Sequence, residues 1–320
     1  MNPPLHTILG ATGATGQAIL HELQARNLRY RLTSRTARPE QEEYVQVDLL
    51  DAASTQKAIA GSTYVYLCVG LPYKTEIWEA QWEVIMQNVT VACAQHGAKL
   101  IFLDNVYLYT APLPQPFDEN TPQQPVSKKG KVRKRTADLL MQAMKNGKVQ
   151  GVIGRSADFF GPGAVHSPFY ISFLERMMEG KNPQTLAPGN VKHTYANVQD
   201  NGRALVELAL CEECYGQAWH LPVGEPITAN EMLAIFNRLL DTDFKLSVMP
   251  RFLRSLLSVF VPVLREVGEM QYQFEAPYVM SFDKFKNQFP DFVVTTNEEG
   301  AKRMIQWLER VDGSELKLNV

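Results

Sequence analysis

Three observations predict an α/β fold with a doubly wound parallel sheet and a smaller C-terminal lobe. Short apolar runs alternate with helical patterns through the first half of the chain. A glycine-rich turn joins the first apolar run to the first helical pattern. Beyond residue 160 the alternation is lost and helical patterns dominate. Strands that alternate with helices imply crossover connections and a parallel sheet covered on both faces.

The elements follow in order. Residues 6–9 read as a strand, 17–26 as a helix, and 30–33 and 44–47 as strands. A helix over 51–60 precedes a β-branched and aromatic strand over 63–69. The spacing of Ile77, Trp78, Trp82, Ile85, Met86 and Val89 predicts a long helix over 76–95, with Gly97 as its C-cap. A buried-type strand over 99–103 comes next. Pro112, Pro114, Pro116, Pro122 and Pro125 then forbid regular structure over 111–126. A helix over 127–145 and a strand over 149–154 follow, and Gly161-Pro162-Gly163 breaks the chain. Further helices are expected over 168–179, 198–210, 229–240, 251–273 (interrupted at Pro262) and 297–309. The predicted organisation is 1–160, with 191–215 returning to it, as the sheet domain. Residues 161–190 and 216–320 form the lobe.

Composition excludes several classes. The chain has 320 residues, 45% hydrophobic and 21% charged, with a formal charge of −2. It is therefore not expected to be disordered, collagenous or a coiled coil, and no global field favours nucleic acid or an anionic membrane. Its 4 cysteines are too few for a disulfide framework. The first residues do not read as a signal peptide. The apolar stretch at 255–264 is far short of the ~20 residues of a spanning helix. That stretch, in a helix over 252–267, reads as a core or dimer face, which leaves a homodimer open. The expectation is a cytoplasmic protein with a small-molecule substrate. Lys128, Lys129, Lys131, Arg133, Lys134 and Arg135 form a basic run. Without interleaved aromatics it reads as a solvated helix start near an anionic ligand. Cys211-Glu212-Glu213-Cys214 has no second pair, so no zinc site is expected and the two cysteines read as ordinary thiols.

Gly10-Ala11-Thr12-Gly13-Ala14-Thr15-Gly16 lies between the first strand and the first helix. That is where a Rossmann fold holds the pyrophosphate of a dinucleotide. Glycines permit close backbone approach, and a helix N-terminus offers free N–H groups. Gly10, Thr12, Gly13, Ala14, Thr15 and Gly16 are the expected contacts. The second strand ends in Ser34-Arg35, with Arg38 beyond and no acid to hold a ribose 2′-hydroxyl. NADP(H) is therefore expected over NAD(H), its phosphate held by these three side chains. Asp48 and Leu49 should meet the adenine, and Val69-Gly70 should pass the adenosine ribose.

These features together resemble the extended and atypical short-chain dehydrogenases/reductases, the NAD-dependent epimerase/dehydratase family. Further support comes from Val106-Tyr107, the segment Arg155 to Gly163, the segment His193 to Asp200, and the segment Ser281 to Pro290. The resemblance implies a catalytic Ser/Thr, and a Tyr and Lys spaced Y-x-x-x-K on the helix after the fifth strand. On that reading Lys134 matches the lysine, Gly130 stands in place of the tyrosine and Leu103 in place of the Ser/Thr. Asp104 and Asn105 stand where dehydratases carry an acid pair. The implied activity is an NADP(H)-dependent oxidoreductase or epimerase/dehydratase acting on a small carbonyl or sugar-like substrate. A dinucleotide-binding sensor is the alternative. Candidate catalytic residues are Lys134, Asp104, Asn105 and Tyr107. Tyr73, Asp158, Phe160, His166, His193 and Tyr195 should line the substrate pocket.

Overall fold

The computed structural model describes residues 3–36, 44–110, 112–249 and 266–311. Its first half runs β1 (Leu5–Leu9), α1 (Ala14–Ala25), β2 (Arg29–Ser34), β3 (Tyr44–Gln46), α2 (Ala52–Ile59), β4 (Tyr64–Leu67), α3 (Thr75–His96), β5 (Lys99–Asn105), α4 (Lys128–Lys145) and β6 (Gly151–Ser156). Its second half runs β7 (Phe159–Phe160), α5 (Glu175–Met178), β8 (Gln184–Thr185), β9 (Ala196–Asn197), α6 (Val198–Leu210), β10 (Ala218–His220), α7 (Ala229–Leu240), β11 (Ser247–Val248), α8 (Tyr272–Glu275), α9 (Asp283–Gln288) and α10 (Asn297–Arg310).

The main sheet has 7 strands in the order β10-β6-β5-β4-β1-β2-β3, and every pairing in it is parallel. The chain winds outward from β1 through β2 and β3, then crosses to β4 and winds the other way. The reversal point thus lies between β1 and β4, where open α/β sheets form their ligand crevice.

Both faces are covered. Trp78, Trp82, Met86 and Val89 of α3 pack with Val132, Ala137 and Leu140 of α4 against Leu67, Leu100 and Phe102. On the opposite face Ile19 and Leu23 of α1 and Leu205 and Leu208 of α6 pack against Ile8, Tyr66, Ile101 and Val152. The lobe has its own core, built on Phe160, Phe169, Phe173, Met232, Phe236, Met304 and Ile305. A smaller cluster, including Val106, Tyr109, Phe117, Tyr278 and Met280, ties the lobe to the end of the sheet.

The helix termini follow from their caps. Asp51 accepts from Ser54 N at 2.6 Å, and Ser127 accepts from Gly130 N at 3.0 Å. Thr228 and Glu231 form a complete capping box.

The structure corrects the predicted organisation in three places. β10 joins the main sheet beside β6, and Phe285 of α9 packs in the α1–α6 core. Part of 216–320 therefore belongs to the sheet domain, because short aromatic segments there complete its edge and one face. The helix expected over 168–179 begins as a π-turn, Tyr170–Leu174, before α5. Of the helix expected over 251–273, residues 251–265 lie outside the described residues, as does the greater part of the apolar face over 252–267; α8 covers its end. Cys211 and Cys214 form a disulfide rather than two free thiols. Among the described residues no helix is long and apolar enough to cross a membrane, and no group of His, Cys, Asp and Glu side chains is arranged to hold a metal ion.

Candidate active site

The glycine turn fits a pyrophosphate. Gly10 has φ +96°, and a Cβ there would meet Val69 N at 2.8 Å. A Cβ on Gly16 would lie 2.2 Å from Gly10 O. These two glycines let the turn fold onto β4 and onto itself. Gly13 differs: its nearest neighbour would be Gly10 O at 3.5 Å, so a side chain there would project into open space above the turn. Gly13 caps α1 without a side-chain hydrogen bond, and the first turn carries no acid. The Thr15 hydroxyl is buried without a protein partner. An uncapped helix N-terminus with an orphaned hydroxyl is suited to an anion. The Gly161–Gly163 turn comes back to this point, with the Gly163 Cβ position 3.7 Å from Ala14 Cβ.

Beyond β2 and β3 a groove is lined by Arg35, Val45, Gln46, Asp48, Ala53, Ser54 and Lys57. Ser34 is buried beside it and its hydroxyl is 3.3 Å from that of Thr36. Asp48 is exposed and accepts from Leu50 N at 3.0 Å. Leu49 is buried in the α2–α3 core, so it does not present a face for an adenine ring. Arg38 lies outside the described residues. Val69 runs beneath Gly10, and Gly70 is exposed beside it.

The other half of the crevice lies over β4, β5 and β6. There the expectation for Lys134 is not met. Lys134 turns outward and its Nζ pairs with Asp138 at 2.7 Å. The inward pair with i,i+4 spacing is Lys129 and Arg133, both buried. Ser127 sets this register: by capping α4 it puts 129, 132, 133 and 136 on the sheet side. Gly130 sits where its backbone touches the end of β5, since a Cβ would meet Tyr107 O at 2.3 Å. No side chain, a tyrosine included, fits there without displacing Tyr107.

Asp104 does not stand open as an acid. It is buried, and its carboxylate accepts from Arg133 Nε at 2.9 Å. Arg155 Nε lies 3.6 Å from its other oxygen. The Arg133 guanidinium is 4.2 Å from the Trp82 ring centroid. This is a structural ion pair, because an unpaired buried carboxylate would be far more costly. Asn105 Oδ1 accepts from Tyr107 N at 3.1 Å and shapes the turn after β5.

Tyr73, from the loop after β4, meets the Trp78 ring edge-on at 5.6 Å between centroids, and Tyr107 stacks on the same ring at 6.1 Å. Lys129 Nζ is 4.5 Å from the Tyr73 ring centroid and 3.0 Å from Thr75 Oγ1. It is also paired with Glu266 and Glu269. Burial raises both phenol pKa values, and the nearby Asp158 carboxylate adds to this. Burial alone would push the Glu266 carboxyl up. Its hydrogen bonds to Lys129 and Thr75 outweigh that and hold it below the usual carboxylate range.

Asp158 faces the same region, and its carboxylate lies 3.3 Å from His193 Nε2. His193 is buried and stacked on Phe274, with Tyr195 and Tyr278 beside it. Tyr195 is buried against Phe169, where burial raises its pKa. One pocket expectation fails. Phe160 is 1% exposed in the lobe core, because it fills the space beside Gly300. His166 is exposed on the turn after Gly163.

The chain belongs to the NAD dependent epimerase/dehydratase family, whose model matches residues 6–213. No protein of curated function matches it by sequence. Solved structures share its fold at low identity. The enzyme WbmH of Bordetella bronchiseptica, in complex with NAD+, is 17% identical, with a TM-score of 0.75 over 97% of this chain and 99% of that one. A UDP-glucuronic acid 4-epimerase of Bacillus cereus, in complex with NAD, is 14% identical, with a TM-score of 0.77 over 96% and 99%. A UDP-glucose 4-epimerase of Thermotoga maritima, with UDP-glucose, is 15% identical, with a TM-score of 0.77 over 96% and 99%.

Sequence reasoning missed Lys129, Arg133, Glu266 and Glu269. The signal for the first two was present: they stand at i,i+4, two and six residues after a serine able to cap a helix. Nothing local marks the two glutamates, which reach the site from more than 130 residues away.

Proposed function

We propose that this chain is an NADP(H)-dependent oxidoreductase or epimerase/dehydratase-like enzyme for a small carbonyl or sugar-like substrate. The observation that carries the reading is the uncapped start of α1, with the orphaned Thr15 hydroxyl and the open space at Gly13, beside the reversal point of the sheet. Gly10, Thr12, Gly13, Ala14, Thr15 and Gly16 would hold the pyrophosphate. Ser34, Arg35 and Lys57 would hold a 2′-phosphate, since Arg35 and Lys57 line the groove where an NAD-selective site would place an acid, and Ser34 directly precedes Arg35 at the end of β2. The nicotinamide supplies hydride transfer when bound. Tyr73, Tyr107 and Asp158 would face the substrate.

Calorimetry with the oxidised and reduced forms of both dinucleotides tests the first half. Binding of none of them overturns it. Following dihydronicotinamide absorbance with small ketones, aldehydes and free and nucleotide-linked sugars tests the second. Gly130, at the helix position where a family phenol is expected, favours a second reading: a dinucleotide sensor without turnover. Tight binding with no reaction across that panel would select it.

A further inference from the structure

Cys211 and Cys214 stand where the chain passes from α6 to the edge strand of the main sheet. Cys211 closes α6, Glu212–Cys214 is a 3₁₀ turn, and β10 follows at Ala218. The two α-carbons are 5.4 Å apart, and Cys214 N donates to Cys211 O at 3.2 Å. The backbone turn therefore holds the side chains together whether or not the sulfurs are bonded. The sulfurs differ in access. Cys214 is fully buried in the α1–α6 core. Cys211 is half-buried at the surface, where its Sγ accepts from Gln288 Nε2 of α9 at 3.5 Å and lies 3.6 Å from Glu213 Oε2. The Lys99 ammonium pairs with Glu212. The bond spans a sequence separation of only 3. It therefore restricts the unfolded chain little, and the packed core carries the fold.

We infer that Cys211–Cys214 is a reversible dithiol/disulfide switch, opened at Cys211 by a small thiol of the glutathione class. The attacking thiolate bonds to Cys211 Sγ, and the Cys211–Cys214 bond breaks. Cys214 Sγ leaves with the electron pair and takes a proton from solvent. A second thiol attacks the mixed disulfide and releases Cys211 as a thiol. The protein disulfide is reduced by two electrons and two protons, and two small thiols are oxidised to their disulfide. Burial closes Cys214 to direct attack. Reoxidation needs no search, because the 3₁₀ turn keeps the pair in register. The Glu213 carboxylate would repel a thiolate at Cys211, so nothing there stabilises the reduced pair as in a strong oxidant. The site suits a responder to the thiol pool rather than an oxidant of other proteins. What the switch loosens is the edge of the sheet. Trp219 Nε1 donates to Cys214 O at 2.9 Å, Lys284 Nζ of α9 donates to Ala218 O at 2.7 Å, and Gln288 reaches Cys211 itself. Opening the bond frees the turn that positions β10 against α9. Cys68 and Cys93 are buried and take no part.

The test equilibrates the full chain in glutathione buffers of graded reduced-to-oxidised ratio, then quenches in acid, alkylates and maps the cysteines by mass spectrometry. The pair should pass from disulfide to dithiol in a single two-electron transition, and the reduced protein should keep its native circular dichroism. Amide exchange should then quicken over 211–220 and 283–288 and stay unchanged in α1. In Cys214→Ser, oxidised glutathione should add one glutathionyl group at Cys211; in Cys211→Ser it should add none. A wild-type disulfide that survives excess reduced glutathione, or a pair that stays reduced in excess oxidised glutathione, overturns the switch. So does loss of the fold on reduction, which would make the bond a structural staple. A glutathionyl group on Cys214 of the folded protein overturns Cys211 as the attacked sulfur, and identical exchange in the two forms overturns the loosening of β10. The wild-type titration decides alone if either serine variant fails to fold.

Discussion

Arg133 Nε donates to Asp104 Oδ1 at 2.9 Å, and both side chains are closed off from solvent. The pair joins α4 to the end of β5, directly behind the turn that carries Tyr107. Its removal from one side leaves a buried charge without its partner, which costs about 3–5 kcal/mol.

Arg133→Met should therefore lower the unfolding free energy by about that amount, about 3–5 kcal/mol. Lys134→Ala, one residue along, removes only the exposed pair with Asp138 and should change stability by no more than about 0.5 kcal/mol. Urea denaturation of the two variants checks the contrast. Similar losses for both would mean that the register of α4 is wrong.

The three loop glycines should separate folding from binding. Gly10→Ala forces a Cβ into the Val69 backbone at positive φ, and Gly16→Ala forces one into Gly10 O. Each should cost about 1–3 kcal/mol of stability. Gly13→Val meets no protein atom closer than 3.5 Å from its Cβ, so it should fold normally and lose dinucleotide binding. Thermal melts beside calorimetry on the same three proteins read the difference. Normal affinity in folded Gly13→Val would remove the pyrophosphate from this turn.

The sheet was legible because its strands and helices are locally periodic and locally capped. The spans 198–210 and 229–240 appear as α6 and α7 with the bounds read from sequence, Asn197 and Thr228 closing their N-termini. β10 was missed because three residues carry no period, and only its pairing with β6 makes it a strand. The site was read one residue out of place on α4. Six cations in eight residues offer several inward faces, and the choice falls to tertiary contacts: Asp104 takes Arg133 inward, and Glu266 with Glu269 takes Lys129. Those partners lie on other elements, so no spacing along α4 could reveal them.

Two buried histidines should make the fold acid-sensitive. Burial lowers the His6 pKa to about 4 and the His220 pKa to about 3, from an ordinary 6.5. Each is neutral in the fold at pH values where the unfolded chain is protonated. The unfolded state therefore binds more protons between pH 6.5 and about 4, so stability falls as the pH drops through that window. Each histidine contributes a slope of up to about 1.4 kcal/mol per pH unit. Urea midpoints across the window should show a shallower slope for His6→Gln than for wild type. An unchanged slope would mean that His6 is already charged in the fold, against its burial beside Tyr64 and its 2.9 Å contact with the Tyr66 hydroxyl.

Cofactor choice should depend on Arg35. It follows the end of β2, and Lys57 lines the same groove. A 2′-phosphate placed there meets two cations and the nearby Ser34 hydroxyl, whereas a bare ribose hydroxyl finds no acid from β2. The guanidinium can hold the phosphate through two donors at once, a geometry that a lysine cannot copy. A hydrogen bond to a charged group contributes about 1.5–3 kcal/mol, or roughly ten- to a hundredfold in affinity. Arg35→Ala should therefore weaken NADP(H) by that factor and leave NAD(H) nearly unchanged, since NAD(H) offers the side chain no phosphate at this position. Raising the salt concentration should weaken NADP(H) more steeply than NAD(H) in the wild type, and the difference should shrink in the variant. Titration calorimetry of both proteins with both dinucleotides measures all four affinities. Equal affinity of the wild type for NAD(H) and NADP(H) would remove Arg35 from cofactor selection and return it to an ordinary solvated surface charge.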